Sequence, residues 1–183
     1  MKIVNFKSTL VFLAALSLGA LLGCSSLSTK APDLGDNLRK SLDQAGLKDV
    51  TSSQDRDKGV VTLGGHVAAD SEKAQAETIA KSLAGSEVVA NQIAVTPPGQ
   101  PDAKTVNTDL DKGIEGNLDA ALVIAKLDHS VKFSVKNRVV TLTGEVNSEA
   151  KRAEGQQIAT AIQNVGQVVN ELQIKNQKAT SSN

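Results

Sequence analysis

The string GVVTLGGHV at residues 59–67 returns as RVVTLTGEV at 138–146, and this repetition constrains the fold more than any other feature of the chain. Val60 and Val139 stand 79 positions apart. The same spacing relates Ala74 to Ala153, Ile79 to Ile158, Ala80 to Ala159, Val89 to Val168, Asn91 to Asn170, Ile93 to Leu172 and Val95 to Ile174. Upstream, NLRKSLDQAGL at 37–47 aligns with NLDAALVIAKL at 117–127 at a spacing of 80, so the first copy holds one extra residue. That residue falls in QDRDKG, a turn-like string where insertion is tolerated. The chain is a tandem duplication, and both copies must bury their apolar residues by one plan. Between them TPPGQPDAKTVNT, at 96–108, is rich in Pro and polar residues and reads as a semi-rigid linker.

Each copy resolves by period. Leu34, Leu38, Leu42 and Ala45 recur at helical spacing, as do Ile114, Leu118, Leu122 and Ala125. In the second copy Val131, Phe133 and Val135 alternate with Lys132, Ser134 and Lys136; after a turn, Val140, Leu142, Gly144 and Val146 alternate again, which predicts a β-hairpin. The first copy has the polar string VTSSQDRD where the second has VKFSVKN, so its hairpin is expected to be short or frayed. Asp70 or Ser71, and Ser148, offer N-caps for a second helix with Ala76, Ile79, Ala80 and Leu83 as its apolar stripe. A final strand, EVVANQIAV or GQVVNELQI, completes an αββαβ unit. The expected fold is α+β, two such units, each a three-stranded mixed sheet packed against two helices. Gly65 and Gly144 fall on the apolar phase, where they allow a helix to approach the sheet or mark a bulge.

The N-terminus carries a separate message. Lys2 and Lys7 precede the apolar run TLVFLAALSLGALLG, which has signal-peptide length and is too short to span a bilayer. Leu21-Leu22-Gly23-Cys24 resembles the bacterial lipobox, which makes Cys24 the acylated first residue of the mature chain, a covalent acyl anchor. Ser25 and Ser26 stand where an Asp would resemble an inner-membrane retention signal, so the expected location is the outer membrane, facing the periplasm. Losing Lys2 and Lys7 turns 20 basic and 20 acidic residues into 18 against 20. Without a basic excess, and with Phe133 the one aromatic residue beyond the signal, the chain lacks what a nucleic-acid binder needs.

VVTLGGHV and VVTLTGEV, each followed by a charged helix start, an internal IA pair and then V.N.I.V or V.N.L.I, resemble the BON domain, named for bacterial osmotically inducible and nodulation proteins. The resulting layout is a signal peptide (1–23), a lipidated tether (24–32), a first BON domain (33–96), a linker (97–108), a second BON domain (109–176) and a tail (177–183). A lipobox followed by two BON domains is similar to the DolP type of outer-membrane lipoprotein. That resemblance implies association with phospholipid, preferably anionic, and support of envelope integrity. The alternative is a scaffold binding an envelope protein or peptidoglycan.

Catalytic chemistry finds little support. His66 lies on the polar phase of its strand, opposite Glu145 of the second copy, and His129 follows Asp128 at a helix end, where a cation suits the helix dipole. DRD at 55–57 lacks the ligand count of a calcium loop and reads as a turn. No metal site, cofactor or enzymatic activity is expected. The contrast between the two first helices is more telling. Lys40, Ser41, Asp43 and Gln44 become Ala120, Ala121, Val123 and Ile124. Ala120, Val123, Ile124 and Leu127 then form an apolar flank outside the core stripe, which marks a contact surface. Lys132, Lys136 and Arg138 on the following hairpin are available to anionic headgroups, whereas Asp111, Glu115 and Asp119 would be repelled. Packing against the first domain or a second molecule accounts for the flank equally well, and ordinary core is the remaining reading.

Overall fold

The computed structural model describes residues 30–100 and 103–175. The first unit runs α1 (Gly35–Gln44), β1 (Val50–Asp55), β2 (Val60–Val67), α2 (Asp70–Ala84), β3 (Val88–Asn91) and β4 (Ala94–Val95). The second runs α3 (Ala103–Ile124), β5 (Val131–Lys136), β6 (Val139–Val146), α4 (Glu149–Ala161), β7 (Gln167–Asn170) and β8 (Gln173–Ile174). In each, the central strand pairs antiparallel with the strand before it and parallel with both short strands after it. Both units are thus the expected α+β arrangement of two helices on a mixed sheet, with the third strand in two pieces.

The break has a side-chain cause. Asn91 Oδ1 accepts from Ile93 N at 3.4 Å, and Asn170 Oδ1 accepts from Leu172 N at 3.1 Å. This turn drives Ile93 and Leu172 into the cores. The amide nitrogens point the other way: Asn91 Nδ2 donates to Lys73 O and Glu77 Oε2, Asn170 Nδ2 to Arg152 O and Gln156 Oε1. The repeated asparagine therefore ties helix to strand in each unit.

Leu38, Leu42, Val61, Leu63 and Ala80 centre the first core; Leu118, Leu122, Val140, Leu142 and Ala159 centre the second. Gly65 and Gly144 adopt φ +85° and +118°, and a Cβ on either would overlap the carbonyl oxygen of Asp49 or Ser130. The close approach is made by the backbone leading into the neighbouring strand, and no helix is involved.

Several expectations are corrected. β1, despite its polar sequence, has the length and burial alternation of β5. Its inward Gln54 accepts from Leu34 N and donates to Pro32 O and Glu87, while Arg56 Nε donates to Ala31 O and Ala31 N to Arg56 O. Residues 30–34 are thereby strapped across the first hairpin. α2 begins at Asp70 with Ala69 as N-cap, so neither Asp70 nor Ser71 caps it; Glu72 Oε2 instead accepts from Ala68 N and Ala69 N. Ser148 does cap α4, accepting from Lys151 N. α3 begins at Ala103, inside the segment expected as linker, because no proline follows Pro101 to interrupt helical hydrogen bonding.

α3 also reaches the second hairpin through Asp111. Asn137 and Arg138 both have positive φ, the conformation of a tight two-residue hairpin turn, and Asp111 of α3 accepts from both amides, at 2.7 and 2.8 Å. The first unit closes its hairpin with the longer loop between Asp55 and Val60, where Asp55 Oδ1 accepts from Asp57 N and Lys58 N; DRD is a turn.

The units are joined by a seam. Val60, Ala90, Val139 and Val169, on the sheet faces away from the helices, form one buried cluster. Beside it the Gln167 side chain brackets the outer edge of β3: Oε1 accepts from Asn91 N at 3.0 Å and Nε2 donates to Val89 O at 2.6 Å. Asn137 Nδ2 donates to Gln92 O, and Lys58 Nζ meets Glu171 Oε2 at 2.6 Å, a contact that raises the lysine pKa.

Candidate functional site

The C-terminal half of α3 shows which residues its packing needs. Ile114, Leu118 and Leu122 are buried against the sheet, which leaves the opposite side of the helix to solvent. There Ile124 is 83% exposed and Val123 53%, with Ala120 exposed one turn earlier. Lys126, in the left-handed conformation that ends the helix (φ 57°), adds an exposed cation beside them. Asp119 stands one turn before Val123. The corresponding surface of α1 presents Lys40, Asp43 and Gln44, with Arg39 Nε bonded to Asp43 at 3.2 Å. Over their aligned last turns, two helices of the same role in the same fold keep the same buried stripe and differ on the outer side, polar and charged in α1 and apolar at Ala120, Val123 and Ile124 in α3.

The other residues expected in this surface lie elsewhere. Leu127 is 3% exposed and belongs to the second core, because the chain leaves the helix through a left-handed turn that swings it inward; its amide bonds to Leu122 O. Val131, Phe133 and Val135 face the helices, so the exposed Lys132 and Lys136 project from the far face of the sheet, across the domain from Val123 and Ile124. Arg138 sits in the hairpin turn held by Asp111. Asp111 and Ile124 share α3, and at ~1.5 Å of rise per residue they are about 20 Å apart along it. The apolar surface thus comprises Ala120, Val123 and Ile124 with Lys126, a residue that sequence periodicity did not single out. Its signal was its place directly after the helix, where lysine commonly stands near the last carbonyls. Cys24 lies outside the described residues.

Chemistry elsewhere is sparse. Among the described residues no group of three or more His, Cys, Asp or Glu side chains is placed to hold a metal, and no helix is long and apolar enough to cross a membrane. His66 is exposed, and His129, 96% exposed, lies 3.4 Å from Asp128. The perturbed groups gather near the seam. Hydrogen bonds from Asn91 and Lys81 hold the Glu77 carboxyl below its ordinary range, and burial pushes the Lys73 ammonium down. Neither residue was singled out by the sequence, because Asn91 and Lys81 meet Glu77 only through the packing of α2 on β3, and Arg138 nears Lys73 only across the seam.

The sequence matches the BON domain family over residues 33–97 and again over 110–176. Osmotically-inducible protein Y of Escherichia coli strain K12 is 28% identical over 136 residues, 73% of this chain and 67% of that protein. Among solved structures, the C-terminal domain of CdsD, described as a structural protein of the type III secretion system of Chlamydia trachomatis, is 15% identical with a TM-score of 0.30. The match covers 77% of this chain and 67% of that one. A second CdsD structure is 15% identical with a TM-score of 0.31, covering 76% of this chain and 62% of that one.

Proposed function

This chain belongs to the BON domain family, and on that premise we propose that it is a non-catalytic lipoprotein of the bacterial envelope whose second domain rests on phospholipid. The acyl group on Cys24 supplies the anchor, and Ala120, Val123 and Ile124 supply a second contact. The similarity to an osmotically inducible protein supports a role in keeping the envelope intact under osmotic stress. One observation carries the lipid reading: the first domain builds the same fold with Asp43 and Gln44 at the positions of Val123 and Ile124, so folding does not require apolar residues there. Exposed branched side chains with no folding role are explained by what covers them. Full burial of a side chain such as Ile124 is worth roughly 1.5–3 kcal/mol, and the half-exposed Val123 has about half of its area left to bury. Lys126 favours an anionic surface, adding about 1 kcal/mol near such headgroups, and Asp119 opposes it.

Co-sedimentation of the anchorless protein with vesicles of phosphatidylglycerol and phosphatidylcholine tests this. The parent should sediment with the anionic vesicles, and Val123→Asp with Ile124→Asp should remain in the supernatant with an unchanged circular dichroism spectrum. A parent that never sediments, or a double variant that still does, would overturn the reading.

A further inference from the structure

Between α2 of the first domain and the β5–β6 turn and β7 of the second lies a cleft of about 340 Å³, lined on one side by Lys73, Glu77 and Lys81 and on the other by Asn137, Arg138 and Gln167. That volume lies within the usual range for small-molecule sites. Its charges do not cancel. The single lining carboxylate, Glu77, is occupied by Asn91 Nδ2 at 2.9 Å and Lys81 Nζ at 2.6 Å. Lys73 is bonded through Nζ to Ile93 O, and Arg138 through Nε to Asn164 O. Among the described residues neither cation has a carboxylate within salt-bridge distance, and the terminal guanidinium nitrogens of Arg138 have no hydrogen-bond partner. The two charges also repel: Arg138 adds to the burial that depresses the Lys73 pKa, against the opposing pull of Asp70, Glu77 and Asp111.

The backbone adds an independent argument. Arg138 is held at φ 68°, a conformation disfavoured for a side chain of its size, whereas the aligned residue of the first domain is Gly59 at φ 65°. Asp111 accepts from the amides of the turn and stabilises it. The two-residue turn thus places an arginine at the cleft where the repeat has glycine. The counterpart of Lys73, Arg152, by contrast lies 3.7 Å from Glu149. The residue aligned with Lys73 in the second domain is thus paired, whereas Lys73 faces Arg138 across the cleft.

We infer that this cleft binds a phosphate ester, with the free guanidinium edge of Arg138 gripping two phosphate oxygens and Lys73 contributing the second charge from the other domain. A planar guanidinium matches phosphate geometry bidentately, and an ammonium supplies a point charge. The volume leaves room for a small organic group such as glycerol. A free phosphate ester and a lipid headgroup offer the same chemistry.

Titration of the anchorless protein with glycerol 3-phosphate, followed by amide chemical shifts in NMR spectra, tests the site, with phosphatidylglycerol vesicles as a second arm. A dissociation constant of about 1 mM or tighter is expected, with shifts centred on the β5–β6 turn and the start of β7. Arg138→Gly, which installs the residue the first domain uses in this conformation, and Lys73→Gln should each weaken binding about tenfold or more while leaving the spectrum folded. Val123→Asp with Ile124→Asp should leave glycerol 3-phosphate binding intact, which separates this site from the apolar surface. Binding of the soluble ester identifies a free ligand. Vesicle binding lost in Arg138→Gly without soluble-ester binding identifies the headgroup. Absence of both, or undiminished affinity in Arg138→Gly, overturns the inference.

Discussion

Two residue types repeated at a spacing of 79 positions hold each unit together, and they do so differently. Gly65 and Gly144 adopt backbone conformations that L side chains rarely take, and a carbonyl occupies the place of their missing Cβ. Gly144→Ala combines torsional strain with a backbone overlap and should cost more than about 2 kcal/mol in urea unfolding. Asn91 and Asn170 act through hydrogen bonds. Asn91 is 3% exposed and serves Lys73 O, Glu77 and Ile93 N together. Asn91→Ala leaves buried groups unpaired and should cost roughly 1–3 kcal/mol at pH 7. Part of that difference depends on pH. Because the folded protein depresses the Glu77 pKa, chiefly through Asn91, this carboxylate stabilises the fold above its unfolded pKa and loses that contribution as pH falls through the lowered value. The gap between parent and Asn91→Ala should therefore narrow between pH 7 and pH 3; a gap that stays constant would show that the bond to Glu77 contributes nothing.

At the scale of elements, α3 separates residues that look alike in sequence. Leu127 and Ile124 both belong to an apolar flank by periodicity, yet one is 3% and the other 83% exposed. Leu127→Ala should cost about 2–5 kcal/mol in urea unfolding and Ile124→Ala within about 0.5 kcal/mol of nothing. Equally large losses would place both in the core, and equally small ones would place both outside it. Periodicity failed at Leu127 because helical spacing was extended past Ile124, while the left-handed Lys126 resets the direction of the chain. The same limit explains the other departures. Helices, hairpins and cores were legible because burial imposes periods of 3.6 and 2 on the sequence, twice over. The division of the last strand was not, because Asn91 and Asn170 fit a strand pattern while their side chains turn it. The first turns of α3 were hidden by the prolines just before them, and β1 by serines whose alternation carries no apolar signal. Of the exposed apolar surface, Ala120, Val123 and Ile124 were legible from the comparison of copies. The separation of Lys132 and Lys136 from them follows from which face of the sheet a strand residue occupies, and that of Arg138 from its place in the hairpin turn; both required the tertiary arrangement.

At the scale of the whole molecule, the seam should make the two domains unfold as one. Val60, Ala90, Val139 and Val169 would be exposed if the units separated, and the Gln167 bracket covers a strand edge that would otherwise be open. Calorimetry of the intact protein should show a single transition. Gln167→Ala removes both bonds and should lower the stability by roughly 1–3 kcal/mol and begin to resolve two transitions. A melt identical to that of the parent would show that the apolar cluster alone couples the domains. The strap at residues 30–34 has a consequence of another kind. Because that segment is fixed to the first hairpin, the proposed acyl anchor at Cys24 would be joined to the folded body through the residues up to Lys30, whose length in sequence, at ~3.5 Å per residue, spans at most about 20 Å. On that proposal, so short a leash would raise the effective concentration of membrane around the folded body to the order of 1 mM or more. A contact at Val123 and Ile124 too weak to hold a freely diffusing protein would then be occupied much of the time, and lengthening the leash with a Gly/Ser insert would loosen it without altering a single contact.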